Sequence, residues 1–178
     1  VTYQNGSTVL GSFNKVTGSG SRYVGNNVIG YNNNIGSSSN TTVIGRGNIV
    51  GNNSLGNQII GSSINVGNDI SYSVALGQQS SVGGSNAVAV GLLATASTAN
   101  SVALGSRSKA TAADSVALGS GSVAATAAGV AGYAPATADA SQANAIAATT
   151  STLGAMAVGD AAANKLRQIT GVAAGTAN

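Results

Sequence analysis

Short apolar words that close on glycine punctuate a background of small polar residues along this chain. Leu10-Gly11, Ile29-Gly30, Ile44-Gly45, Ile60-Gly61, Leu76-Gly77, Val90-Gly91, Leu104-Gly105 and Leu118-Gly119 follow one another at gaps of 19, 15, 16, 16, 14, 14 and 14 residues. A disordered linker has no reason to hold such a spacing, whereas the stacked turns of a solenoid must hold it. Fourteen residues are too few for a helix pair and suit two short strands joined by two tight turns. Ser-Val-Ala-Leu-Gly at 73–77, 101–105 and 115–119, with Ala-Val-Ala-Val-Gly at 87–91, predicts the first strand. Fainter words at Ser80–Gly83, Ser108–Ala112 and Ser122–Ala125 predict the second, with Ile49–Gly51 and Asn65–Gly67 as its earlier forms. Gly105 supplies a positive φ or the room for close packing at the turn. The predicted class is an all-β parallel β-solenoid with coils of about 14–16 residues.

Side chains alternate along a strand, so Val102 and Leu104 share one face and Ser101 and Ala103 the other. The large residues Val74, Leu76, Val88, Val90, Val102, Leu104, Val116 and Leu118 are expected to fill the inside of the coil. The small face, Ser73/Ala75, Ala87/Ala89, Ser101/Ala103 and Ser115/Ala117, is expected to meet another backbone at close range. Biased composition is the plainer account of these small residues, but it would not hold them in register with Val and Leu. A fourteen-residue coil is at most about 46–50 Å around, with walls about 10 Å apart. Two large apolar side chains per coil offset little of an ordering cost of about 1–2 kcal/mol per residue. Self-association that buries one face around an axis is therefore expected.

Four regions differ in pattern. Residues 1–69 hold most of the Asn and keep paired aliphatics, as in "NNVIG" and "TTVIG". They read as the same architecture with longer turns, or as a separate subdomain. Asn suits left-handed turn positions and hydrogen-bonded ladders between coils. Residues 70–125 are the regular repeats. Residues 126–156, with the single proline Pro135, are degenerate coils or an insertion. In 157–178 the pattern changes: Leu166, Ile169 and Val172 stand three apart, as in a short amphipathic helix or a loop.

Composition narrows the chemistry. Only 6% of residues are charged and 3% aromatic, and the chain has no Glu, His, Cys or Trp. That excludes an ordinary zinc site, a Ser-His-Asp triad and a Cys-His pair. The four Asp, at 69, 114, 139 and 160, are not marked as an acid/base pair, so no enzyme, metal or cofactor is expected. A net charge of +3 on scattered residues is no signature of a nucleic-acid partner. No apolar run approaches the roughly 18–20 residues of a membrane helix. The chain starts at Val1 inside a repeat-like pattern and reads as part of something longer. Arg107 and Lys109, in a turn between strands, are the ligand-binding candidates; as a plainer alternative they are solvent-facing charges.

The SVALG units at 73–77, 101–105 and 115–119, the variant at 87–91 and the closing "VGDAAANKLRQITGVAAGT" resemble the YadA-like head and neck of trimeric autotransporter adhesins. The neck word is Arg167–Gly175, where Gly171 replaces the Asn common in the family. The resemblance implies a left-handed parallel β-roll assembled as a homotrimer. It also implies a neck that locks the trimer, with Asp160, Lys165, Leu166, Arg167, Ile169 and Val172 in that role, above a coiled-coil stalk absent from this segment. Lys165 and Arg167 are expected to pair with Asp160 or with a carbonyl of a neighbouring chain. The implied function is attachment to host extracellular matrix of the collagen, fibronectin or laminin class. The implied location is the bacterial cell surface, with an outer-membrane anchor outside this segment. Two other readings stand beside it. One is a structural spacer of the same kind of fibre. The other is a β-helix acyltransferase, whose period of six and catalytic His do not fit.

Overall fold

The structure, a computed structural model, describes residues 6–17 and 25–173. The parts of the Asn-rich region at 1–5 and 18–24, and the end of the neck at 174–178, lie outside the described residues. Each repeat forms one coil: a longer strand, a turn, a two-residue strand and a second turn. The longer strands are Thr8–Ser12, Asn27–Tyr31, Thr42–Arg46, Gln58–Ser62, Val74–Leu76, Val88–Val90, Val102–Leu104, Val116–Leu118 and Met156–Ala157. They stack in that order as a nine-stranded parallel sheet. The short strands, from Lys15–Val16 to Val123–Ala124, stack as an eight-stranded sheet facing it. The coils of 15–16 residues add a third wall, where Ser38–Ser39 pairs with Ser54–Leu55. The expected all-β solenoid and its coil length are what the chain forms.

The repeated glycine is required twice over. From Gly11 to Gly119 these residues hold φ between 104 and 151°, a region closed to side chains. From Gly11 to Gly105 each also lies against the next coil: a Cβ on Gly45 would stand 1.8 Å from the carbonyl oxygen of Gly61. Two residues further on, the turn always takes a left-handed conformation. Phe13, Asn32, Ser63, Gln79, Leu93 and Arg107 hold φ of 54–59° there, and Gly47 and Gly121 occupy the same position.

The faces are the reverse of the expectation. Ala75, Ala89, Ala103 and Ala117 point into the coil and are fully buried. Val74, Val88, Val90, Val102, Leu104 and Val116 are half-buried on the outer face, and Leu76 and Leu118 there are exposed. The cause is the thinness of the coil. The space between the walls must also hold a residue from the short strand, and this is Val82 in the first 14-residue coil, Ala96 and Ala110 in the next two, and Ala124 in the coil after them. No room is left for Leu, which goes outside. In the longer coils the inner residues are Val28, Ile35, Val43, Val50, Ile59 and Val66. The 14-residue coils hold smaller inner pairs than the 15- and 16-residue ones.

Buried Asn side chains tie the longer coils to each other. Asn33 Nδ2 donates to Asn14 Oδ1 (2.9 Å) and to the Gly45 carbonyl (2.9 Å). Asn48 Nδ2 repeats this with Asn33 Oδ1 (3.0 Å) and the Gly61 carbonyl (3.0 Å), and the Ile64 N–H ends the ladder on Asn48 Oδ1. In the shorter coils Ser108 and Ser122 stand in the corresponding place. Their hydroxyls donate within their own coil, to the Gly105 and Leu118 carbonyls. Longer coils thus use amides between turns and shorter ones use hydroxyls inside a turn.

Between Ala124 and Met156 the chain departs from the stack. It forms one helix, Ala140–Ala147, capped by Asp139 through a reciprocal bond with Gln142 and carrying no buried residue. The chain returns through Ser151, which pairs with Gly129 and Val130 at the base of the excursion. Met156–Ala157 then adds a strand under Val116–Ala117.

Candidate functional site

The two sheets present unlike outer faces. On the long-strand sheet, Leu10, Ile29, Ile44, Ile60, Leu76, Val90, Leu104 and Leu118 form one unbroken aliphatic ladder, each residue in register with the next. Leu10 is 63% exposed and Leu118 40%. Beside it runs a second ladder that changes character, from Thr8, Asn27, Thr42 and Gln58 to Val74, Val88, Val102 and Val116. The face bears one aliphatic per coil in its first half and two in its second. A continuous exposed apolar surface of this kind marks an interaction site. On the short-strand sheet the outward positions are Lys15, Asn34, Ile49, Asn65, Ser81, Thr95, Lys109 and Val123, which are mostly polar.

The neck region closes the open end of the stack. Asp160 and Lys165 pair through their backbones, N–H to carbonyl in both directions at 2.9 Å. Arg167 donates from Nη1 to Ser122 Oγ (3.0 Å) and the Val158 carbonyl, and from Nη2 to the Ser120 carbonyl. Its guanidinium lies against Gly119, 3.2 Å from where a Cβ would stand. Earlier glycines of the series rest on the next coil; Gly119 has no such coil and rests on Arg167. The carbonyls that Arg167 meets lie at the end of the stack. Leu166, Ile169 and Val172 form no helix and are 73%, 67% and 70% exposed. Among the described residues no helix is long and apolar enough to cross a membrane.

Arg107 and Lys109, the ligand candidates from the sequence, line one groove together with Leu93, Thr95, Ser120, Gly121, Val123, Asp160 and Lys165. Sequence reasoning placed Lys165 in the neck alone, because nothing in the linear order brings it beside Arg107. A second feature also escaped it. Phe13 and Tyr31 meet edge to face with centroids 5.3 Å apart, and Arg46 lies 5.9 Å from the Tyr31 ring. Only the register of adjacent coils, which sets Tyr31 over Arg46, reveals this cluster.

These features define a parallel β-solenoid with one apolar and one polar wall. Residues 71–94, 83–108 and 96–122 each match the family model of the YadA head domain repeat (2 copies), which makes this region a YadA-like head. That head is the type carried by trimeric autotransporter adhesins, surface-exposed proteins in which it is an adhesin domain rather than an enzyme. No curated protein sequence matches the chain.

Proposed function

We propose that this segment is the head of a bacterial surface adhesin that works as a homotrimer and attaches its cell to host extracellular matrix proteins of the collagen, fibronectin or laminin class. The full protein is held in the outer membrane by a segment beyond this one. The observation that carries the trimer is the aliphatic ladder on the long-strand sheet. It is too long and too regular to be left in water, and three copies turned about one axis bury it with equivalent contacts. Leu166, Ile169 and Val172 extend the same requirement below the head, which supports a locking role for the neck. In that assembly Val74, Val88, Val90, Val102, Leu104 and Val116 pack between subunits, while Ala103 and Ala117 pack within one. The polar sheet then faces outward and offers similar side chains at each level of the rod, so a shallow contact gains strength through repetition. The proposed role calls for no cofactor and no catalysis.

Two measurements test the reading. Light scattering of the purified segment is expected to give three times the chain mass, and a stable monomer removes the assembly. Saturable binding to at least one of immobilised collagen, fibronectin and laminin is expected from the trimer. Binding to none of them, nor to host cells, leaves the head a spacer.

A further inference from the structure

We infer that the groove between the Arg107 turn and the outer face of Lys109 binds a sulfated polysaccharide. Of the seven basic residues in the chain, three line this groove: Arg107, Lys109 and Lys165. They come from three different places in the fold. Arg107 occupies the left-handed turn position, stacked between Leu93 above and Gly121 below. Gly121 has no side chain, so the ladder of turn residues has a notch at that level. Lys165 fills it, its Nζ 3.5 Å from where a Gly121 Cβ would stand. Lys109 lies on the short strand between Thr95 and Val123, neither of which is charged. The one acid of the groove, Asp160, turns Oδ1 to the Ala163 N–H (3.2 Å). Three cations against one carboxylate leave the groove positive in a chain where charge is scarce.

The form of the groove selects the ligand. All three cations are exposed; Arg107 and Lys109 share one coil, and Lys165 stands at the level of the next, about 4.8 Å further along the stack. They do not converge on one buried point, and a single exposed ion pair is worth little. A ligand must therefore carry anions repeatedly along its length. No aromatic side chain lines the groove, so nucleic-acid bases have no platform to stack on. The hydroxyls of Thr95 and Ser120 suit sugar hydroxyls between sulfate groups. The groove lies on the polar sheet and within one chain, so this inference stands whether or not the head holds a matrix protein.

The test measures binding of a size-defined heparin oligosaccharide, its desulfated counterpart and single-stranded DNA of equal charge by calorimetry at low salt. The groove variant is Arg107→Gln with Lys109→Thr. Both substitutes are native at the equivalent positions of other coils, as Gln79 and Thr95, so the fold is preserved. The control removes equal charge elsewhere, by Lys15→Asn with Arg46→Ser, again with residues that stack at those positions, Asn34 and Ser62. The unaltered head is expected to bind heparin and neither other probe comparably. The groove variant is expected to bind about three- to tenfold more weakly, on the scale of two lost exposed ion pairs, and the control to change less than about twofold. Absence of heparin binding, equal losses in both variants, or equal affinity for DNA or desulfated heparin each overturns the assignment.

Discussion

A glycine in this fold has one of two duties, and they predict opposite outcomes on substitution. Gly91 holds φ at 131°, and an added Cβ would stand 2.6 Å from the carbonyl carbon of Gly105 and 2.7 Å from its oxygen. Both walls are backbone and cannot yield. Gly91→Ala is expected to cost more than about 2 kcal/mol and to lower the melting temperature by about 5–10 °C in a calorimetric scan. Gly47 also has positive φ, 65°, but nothing lies within 4 Å of its missing Cβ. Asn32 occupies the same turn position one coil earlier. Gly47→Asn is therefore expected to leave the melting temperature within about 2 °C, since Asn tolerates this conformation. The inner alanines obey the same steric economy. Ala103→Leu forces a large side chain between walls already filled by Ala110 and is expected to destabilise the coil by about 1–3 kcal/mol or more. Chemical denaturation followed by circular dichroism reads that loss.

At the scale of elements, the period was legible because glycine and aliphatic residues keep their spacing through every coil. Which way each strand face points was not. Alternation says that Ala103 and Leu104 lie on opposite faces, and the usual habit of large residues to lie inside then gives the wrong one. The signal that could have corrected it sits in the second strand. Ala96, Ala110 and Ala124 repeat in step with Ala89, Ala103 and Ala117. Two small positions that recur together mark the two walls of one narrow interior. The Asn ladder was readable as a tendency, whereas the groove and the Phe13–Tyr31–Arg46 cluster depend on stacking across coils and left no trace in the linear order. The excursion at 126–155 is a different case, since Ala-rich sequence without large apolar residues fits a degenerate coil and an exposed helix equally well. Its base is closed by bonds between Val130 and Ser151. Removing 131–150 and joining Val130 to Ser151 through a two-residue Asn-Gly turn is expected to leave the strand signal and melting temperature nearly unchanged while the helical signal disappears. A collapse of the β-sheet signal would mean that the helix supports the stack.

For the whole molecule, the proposed assembly gives the two walls different duties: the apolar wall holds the copies together and the polar wall faces outward. Leu104→Asn places an amide in the aliphatic ladder without touching the buried alanines beneath it. It is expected to shift the mass from trimer toward monomer in light scattering, with the strand signal retained. A trimer as tight as the original would show that the assembly uses another face. Because the second half of the face carries two aliphatics per coil and the first half only one, cohesion between subunits of the proposed trimer is expected to grow toward the neck.

The in-register stacking of the fourteen-residue coils has one more consequence. A coil inserted or lost as a whole unit meets neighbours that already match it on both walls, in the glycine contact and at each turn. Duplicating residues 91–104 should thus lengthen the rod by about 4.8 Å and leave every other level as it was. Head length in such a protein is open to change by unequal recombination, one storey at a time, with no need for compensating change elsewhere.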